Sequence, residues 1–332
     1  MRPFPMNRRR ALGVLAALPW AAAPAGAQTP GSGEGGAFPR HAVRFVVPYA
    51  PGGTSDVLAR LIGQKLAVRW GQQAIVDNRP GAGTVIGANA VRQATDGHTF
   101  LVANNTHVIS PLLMPSLPYD PLGDFTPVCT LATSDYLLLA APRLGVRSLA
   151  EFIELARKRP GQLNFGTHGV GGLTHVAAEL LNAMAGIRMA LVQYKGAGPA
   201  LTAMLAGEVD VYFDAPATTL SYVKEGRLVP IGISGTRRLA ALPQVPTIAE
   251  AGVPGYDVTI WYGLMGPAGL PQRHADRLQE DVQAVLREPE VGERLEALGV
   301  AARFMPQREF GPFAAREQER YRRLIAERGI KA

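Results

Sequence analysis

A recurring unit of strand, glycine-rich loop and amphipathic helix restricts what these 332 residues can fold into. A β-branched run at 43–47 leads through Pro51, Gly52 and Gly53 into a segment whose Val57, Leu58, Leu61, Ile62 and Leu66 keep helical spacing. Residues 73–77 lead through Pro80-Gly81-Ala82-Gly83 into a helix reaching Ala94, and residues 100–103 form the next strand. The unit returns at 162–166, with a glycine loop at 167–172 and a helix at 174–184. Further strands are expected at 209–213 and 228–233. Such alternation predicts α/β architecture with mostly parallel strands. The length favours two domains of ordinary size.

Local signals fill in the rest. Ser148-Leu149-Ala150-Glu151 has capping-box spacing, and its helix stops at Arg159-Pro160-Gly161. Past Trp261, Leu278, Val282 and Val285, then Val291 and Leu295, then Phe310, Tyr321 and Leu324 describe consecutive amphipathic helices. Their arginines alternate with Glu309, Glu317, Glu319 and Glu327, the pattern of a solvated helix face.

The formal charge of +7 raises nucleic-acid binding, but its distribution argues against it. Arg2, Arg8, Arg9 and Arg10 precede a short apolar stretch at 11–23 and the small-x-small site Ala25-Gly26-Ala27, together an export signal. Removing residues 1–27 takes away four arginines and no acid, lowering the charge from +7 to +3. The Arg8-Arg9-Arg10 run resembles a twin-arginine signal with Ala11 where Phe is preferred, which leaves Tat and Sec export both open. Residues 28–38 read as a flexible leader. Elsewhere no apolar run approaches the about 18 residues that span a bilayer. A soluble periplasmic protein is expected. Cys129, the one cysteine, lies in an apolar strand-like context and reads as a buried thiol. The six histidines show no metal-ligand spacing, so no metal or cofactor is expected.

The two glycine-rich turns at 48–56 and 166–174 carry the chemistry. Each presents backbone N–H groups and hydroxyls at a helix start, where orphan donors and the dipole favour an anion. One such turn alone is as readily a tight connection with Asp56 or Thr174 as cap. Two of them, one in each half, suggest a carboxylate held between domains. Neither matches a nucleotide fingerprint, and the nearest candidate elsewhere, Gly81-Ala82-Gly83, has Ile86 where the third glycine belongs. Gly232-Ile233-Ser234-Gly235 falls one residue short of a nucleophile elbow, and His274 with Asp276 makes a poor triad.

Val46-Val47-Pro48-Tyr49-Ala50-Pro51-Gly52-Gly53, Asp77-Asn78-Arg79-Pro80-Gly81-Ala82-Gly83, Leu117-Pro118-Tyr119-Asp120-Pro121 and Tyr194-Lys195-Gly196 resemble the Bug family. Its members are the extracytoplasmic receptors of tripartite tricarboxylate transporters. Pro246-Thr247-Ile248-Ala249-Glu250-Ala251-Gly252 and Trp261-Tyr262-Gly263-Leu264 continue the match in order, over about residues 39–330. The resemblance implies a two-domain periplasmic-binding fold of type II with two crossovers, near 134 and 258. Domain 1 would hold 39–133 and 259–332, and domain 2 would hold 134–258.

It also implies a small carboxylate bound by backbone N–H groups, hydroxyls and waters, with no arginine clamp. Tyr49, Gly52, Gly53, Thr54 and Ser55 would supply the first turn, and Asn104, Asn105 and Thr106 would flank the cleft. Thr167, His168, Gly171, Gly172 and Thr174 would supply the second turn. Asp214 would face the far end of the ligand, or serve only as a turn residue. The chain departs from the family pattern at Val170, Gly172, Thr174 and Ala215, and His168 stands where a small residue is usual. His168 either pairs with a ligand carboxylate when protonated or narrows the cleft. The expected function is a non-enzymatic, monomeric receptor presenting a small organic anion to a membrane permease with large and small subunits. The alternatives are a periplasmic enzyme using Asp214, His168 or Cys129, and an orphan or sensory receptor.

Overall fold

The computed structural model describes residues 38–331, apart from Pro115 and Val170. The export signal and all of the leader before Phe38 therefore lie outside the described residues. Phe38 itself is 8% exposed and packs against Trp70, His98, Phe100 and His274. The glycine-rich composition of the leader hid this aromatic anchor at its end.

The first half opens with β1 (Val43–Val47), α1 (Thr54–Trp70), β2 (Ala74–Asn78), α2 (Val85–Arg92), β3 (Thr99–Asn104), α3 (Asn105–Leu113) and β4 (Phe125–Asp135). The middle of the chain forms β5 (Leu137–Ala140), α4 (Leu149–Lys158), β6 (Asn164–Thr167), α5 (Leu173–Ala185), β7 (Ala190–Gln193), α6 (Ala197–Ala206), β8 (Val211–Asp214), α7 (Pro216–Lys224) and β9 (Val229–Ile233). It ends with β10 (Thr259–Pro267), α8 (Gln272–Leu286), α9 (Pro289–Ala297), β11 (Val300–Ala302) and α10 (Gln307–Arg328).

Two sheets result, ordered β11-β4-β10-β3-β1-β2 and β7-β6-β8-β5-β9. The repeated units do pair in parallel, as β2-β1-β3 and β7-β6-β8. Five of the nine pairings are nevertheless antiparallel, against the expectation of mostly parallel strands. The reason is topological: β10 inserts between β3 and β4, and β5 between β8 and β9, both running against their neighbours. These are the strands that begin where the chain enters a sheet from the other one.

The helix patterns hold where periodicity was clear. In α1, Leu58, Ile62 and Leu66 are fully or almost fully buried. Ser148 Oγ accepts from Glu151 N at 3.2 Å, while the Glu151 carboxylate accepts from Arg147 N at 2.6 Å, one residue before the usual capping-box partner. On α10, Glu319 pairs with Arg322 and Arg323, as the solvated-face reading anticipates. Asp281 of α8 fastens that helix to α1 by accepting from Arg69 Nε at 3.0 Å and Trp70 Nε1 at 2.8 Å.

The chain passes between sheets at Tyr136, and back through the segment between Ile233 and Thr259. Ser234 joins the two crossings. Its fully buried Oγ accepts from Tyr136 N at 2.8 Å and donates to Val258 O at 2.6 Å. Thr259 Oγ1 donates to Asp135 Oδ1 at 2.9 Å alongside. A Cβ on the next residue, Gly235, would lie 2.2 Å from the Asp135 carboxyl carbon, so a larger residue there would push Asp135 off its bond to Thr259. The near-elbow motif at 232–235 is thus a backbone junction. Ser234→Ala strands a buried N–H, and urea unfolding should show a loss of about 1–3 kcal/mol. Unchanged stability would contradict the role given to this hydroxyl.

Candidate functional site

Two cavities lie between the sheets. The inner one, about 410 Å³ of space unfilled by atoms and partly open to solvent, is lined from the first sheet's side by Tyr49, Gly53, Thr54, Ser55, Asn104 and Tyr262. From the second sheet's side come Tyr136, His168, Ala197, Asp214 and Ala215. Among the described residues, no lysine or arginine side chain lines it.

The first glycine turn reaches this cavity through the start of α1. Gly53 is the residue before the helix, with extended backbone, and Thr54 and Ser55 are its first two residues. Their N–H groups have no intrahelical acceptor. Thr54 Oγ1 is buried without a hydrogen-bond partner. Gly52 turns away: exposed at φ +90°, it donates its N–H to Asp56 Oδ2 at 3.1 Å. Asp56 also accepts from Arg60 and Asn78, clamping the turn from behind. Burial works to raise Asp56, but its bonds to Arg60, Gly52 and Asn78 prevail and hold it below the usual carboxylate range.

Asn104 caps α3, its Oδ1 accepting from Thr106 N at 2.9 Å and from the Tyr49 hydroxyl at 3.0 Å. Burial pushes the Tyr49 phenol up to about 12, so it remains a donor. Asn105 faces the other way. Its side chain accepts from Trp261 N at 2.9 Å and donates to Thr259 O at 3.1 Å, within the packing beneath α10.

The second glycine turn behaves differently. His168 and Gly169 line cavities, but Thr167, Gly171, Gly172 and Thr174 line neither of these two. The start of α5 closes the cleft instead: Leu173 N donates to Thr106 Oγ1 at 3.2 Å, and Ser110 Oγ lies 3.3 Å from Gly171 O. Thr167 is buried within β6 with its hydroxyl unpartnered. Thr174 Oγ1 accepts from His168 N at 2.9 Å and so positions that histidine. The helix starts that replace α5 at the inner cavity are those of α6, at Ala197, and α7, at Ala215.

Tyr136, Tyr262, Ala197 and Ala215 escaped notice as site residues. Small apolar residues carry no chemical signature, although Ala197 follows the Tyr194-Lys195-Gly196 motif and Tyr262 lies in another. Each tyrosine could have been found from its position beside a crossing or in a family motif.

Asp214 is 1% exposed at the end of β8. Its Oδ1 accepts from Ala215 N and its Oδ2 from Thr218 Oγ1, both at 2.8 Å, so it braces the start of α7 while lining the cavity. Burial pushes its carboxyl up to about 7. Burial also drives the His168 imidazole down to about 4. His168 is therefore neutral near pH 7. Its Nε2 lies 2.6 Å from the Tyr212 hydroxyl and 3.8 Å from Asp214 Oδ1, with no charge to form an ion pair.

Other chemistry finds no support. Cys129 is buried in β4, and burial pushes its thiol far above the usual range. His274 Nδ1 bonds Gly97 O, and Asp276 accepts from Gln272 and Gln279. Among the described residues, no group of three or more His, Cys, Asp or Glu is arranged to hold a metal. Nor is any described helix long and apolar enough to cross a membrane.

The Asp214 carboxyl makes a testable pH signature. With its native pKa near 7 and an ordinary value of 3.8, the folded protein holds a proton that the unfolded chain releases between those limits. This group's contribution is full below about pH 4 and lost as pH rises through 7. Asp214→Asn keeps the Ala215 bond and removes the titration. Its stability relative to the parent should therefore rise between pH 4.5 and 7.5, read by urea unfolding, and a constant difference would contradict the buried carboxyl.

Comparison with known proteins agrees with this architecture. The tripartite tricarboxylate transporter family receptor model matches residues 58–330. Protein BugT of Bordetella pertussis is 31% identical over 332 residues, covering 98% of this chain and 99% of that protein. MatC from Rhodopseudomonas palustris, solved with bound malate, is 33% identical at a TM-score of 0.82, covering 87% of this chain and 100% of that one. The R. palustris protein Rpa4515, solved with adipate, is 32% identical at a TM-score of 0.86, covering 89% and 99% respectively. With its two-domain α/β fold, the chain belongs to the tripartite tricarboxylate transporter receptor family, the Bug proteins, which are periplasmic solute-binding receptors and not enzymes.

Proposed function

We propose that this receptor captures a small organic carboxylate in the inner cavity and presents it, closed, to a membrane permease with large and small subunits. The observation that carries the reading is the convergence of two helix starts, those of α1 and α6, on a cavity that no described lysine or arginine lines. N–H groups at helix starts favour an anion without the desolvation cost of a buried cation. The adipate and malate in the two R. palustris relatives support the same ligand class.

In this reading Thr54 and Ser55 hold the carboxylate, with Tyr49, Asn104 and Tyr262 shaping the pocket. Asp214 then meets a hydroxyl or ammonium at the ligand's far end. An ammonium there would draw the Asp214 proton off and recover part of the cost of burying the carboxyl. The domains are residues 39–133 with 259–332, and 134–258, moving about the Ser234 junction. Ligand contacts that form only when these parts meet shift the population from open to closed.

A thermal-shift panel of dicarboxylates, aromatic acids and acidic amino acids tests this. A ligand at about a hundred times its Kd should add about 2.7 kcal/mol to native stability and raise the melting midpoint, with the acid recovered unchanged. No shift with any acid at millimolar concentration would overturn the carboxylate reading.

A further inference from the structure

The inner cavity has a neighbour. An outer cavity of about 850 Å³, also partly open to solvent, lies between the same two parts of the chain, and of its lining residues only Tyr49 and His168 also line the inner one. These two side chains are therefore the partition. Both are held. Tyr49 bonds Asn104 at 3.0 Å, and His168 is fixed at its backbone by Thr174 and at Nε2 by the Tyr212 hydroxyl, 2.6 Å away. The Tyr212 hydroxyl in turn donates to Ala197 O at 3.2 Å, on the inner cavity's wall.

The far side of the partition is chemically different. The outer cavity is lined by Lys195, among the described residues the one cationic side chain other than a histidine on either cavity's wall. Its rim includes Ala82 and Thr84, two non-glycine residues at φ +46° and +81°. Such backbone is costly and concentrates at ligand-handling segments. Thr84 Oγ1 is buried there without a hydrogen-bond partner.

We propose that His168, locked by Tyr212, sets the length of ligand this receptor accepts. The inner cavity is tight, since its 410 Å³ of unfilled space includes part of the open cleft, and the ligand it would take is a short acid of about four carbons. An extended dicarboxylate must pass the His168 ring, so the partition excludes it. With the ring removed, the two cavities join, and the second carboxylate of a longer diacid reaches Lys195 and the rim at Thr84. This inference rests on the carboxylate reading above and names the substrate class within it.

Calorimetric titration with linear dicarboxylates of four to eight carbons tests it on the parent, His168→Gly, His168→Ser, Tyr212→Phe and the double variant His168→Gly with Lys195→Met. The parent should lose at least about tenfold in affinity, or ~1.4 kcal/mol, between four and six carbons. His168→Gly or His168→Ser should gain at least that much for the six- to eight-carbon acids, and Lys195→Met should take the gain away. Tyr212→Phe, which frees the ring but keeps it, should fall between. A parent that binds four and eight carbons equally, or folded His168 variants with an unchanged length profile, would overturn the partition. A parent that binds none of the acids overturns the carboxylate reading instead, so the two failures are distinct. If His168→Gly does not fold, His168→Ser and Tyr212→Phe carry the same comparison.

Discussion

One buried hydroxyl ties together the two places where the chain changes sheets. Ser234 Oγ receives the N–H of Tyr136 and gives its proton to Val258 O, while the Ser234 backbone bonds both segments as well. Its position follows from the pairing of β4 with β10 along nearly their whole length, from Asp135 opposite Thr259 to Phe125 opposite Pro267. That antiparallel pair makes the first sheet continuous and brings both crossings to one end of it.

At the starts of α1 and α6 the chain approaches itself closely across the cleft. A Cβ on Gly53 would sit 3.8 Å from Ala197 Cβ, and one on Gly196, whose φ is +118°, would sit 3.6 Å from Ala50 N. Small residues here let helix starts approach without side chains between them. The same economy governs the electrostatics. Asp214 and His168 both lose their usual charge to burial, so the inner cavity near pH 7 is lined by neutral rings, hydroxyls and peptide groups, with one carboxyl poised near half-ionised. Where burial lowers the local polarity, oriented N–H groups act on an anion more strongly than they would in water.

The repeated units were readable because periodicity and punctuation are local. Strand β1, helix α1 and the capped start of α4 need only neighbouring residues to declare themselves. Strand β10 and the full length of β4 were not readable, since Thr133 to Asp135 and Thr259 become strand through partners more than a hundred residues away. The site divides the same way. Tyr49, Gly53, Thr54, Ser55, Asn104, His168 and Asp214 come together at the inner cavity, whereas Asn105, Thr167, Gly171, Gly172 and Thr174 are spent on packing or on cleft closure. Sequence pattern marks a glycine loop at a helix start, but which way the loop faces depends on the opposing part of the chain.

The central claim is that backbone N–H groups at converging helix starts, rather than cationic side chains, hold the ligand's carboxylate. A crystal structure of the receptor with an acid that raises its melting temperature tests this directly. A carboxylate within about 3 Å of the Thr54 and Ser55 N–H groups, with no lysine or arginine nitrogen in contact, is the expected result. A carboxylate paired to Lys195 or to any arginine, or bound away from the start of α1, would contradict it.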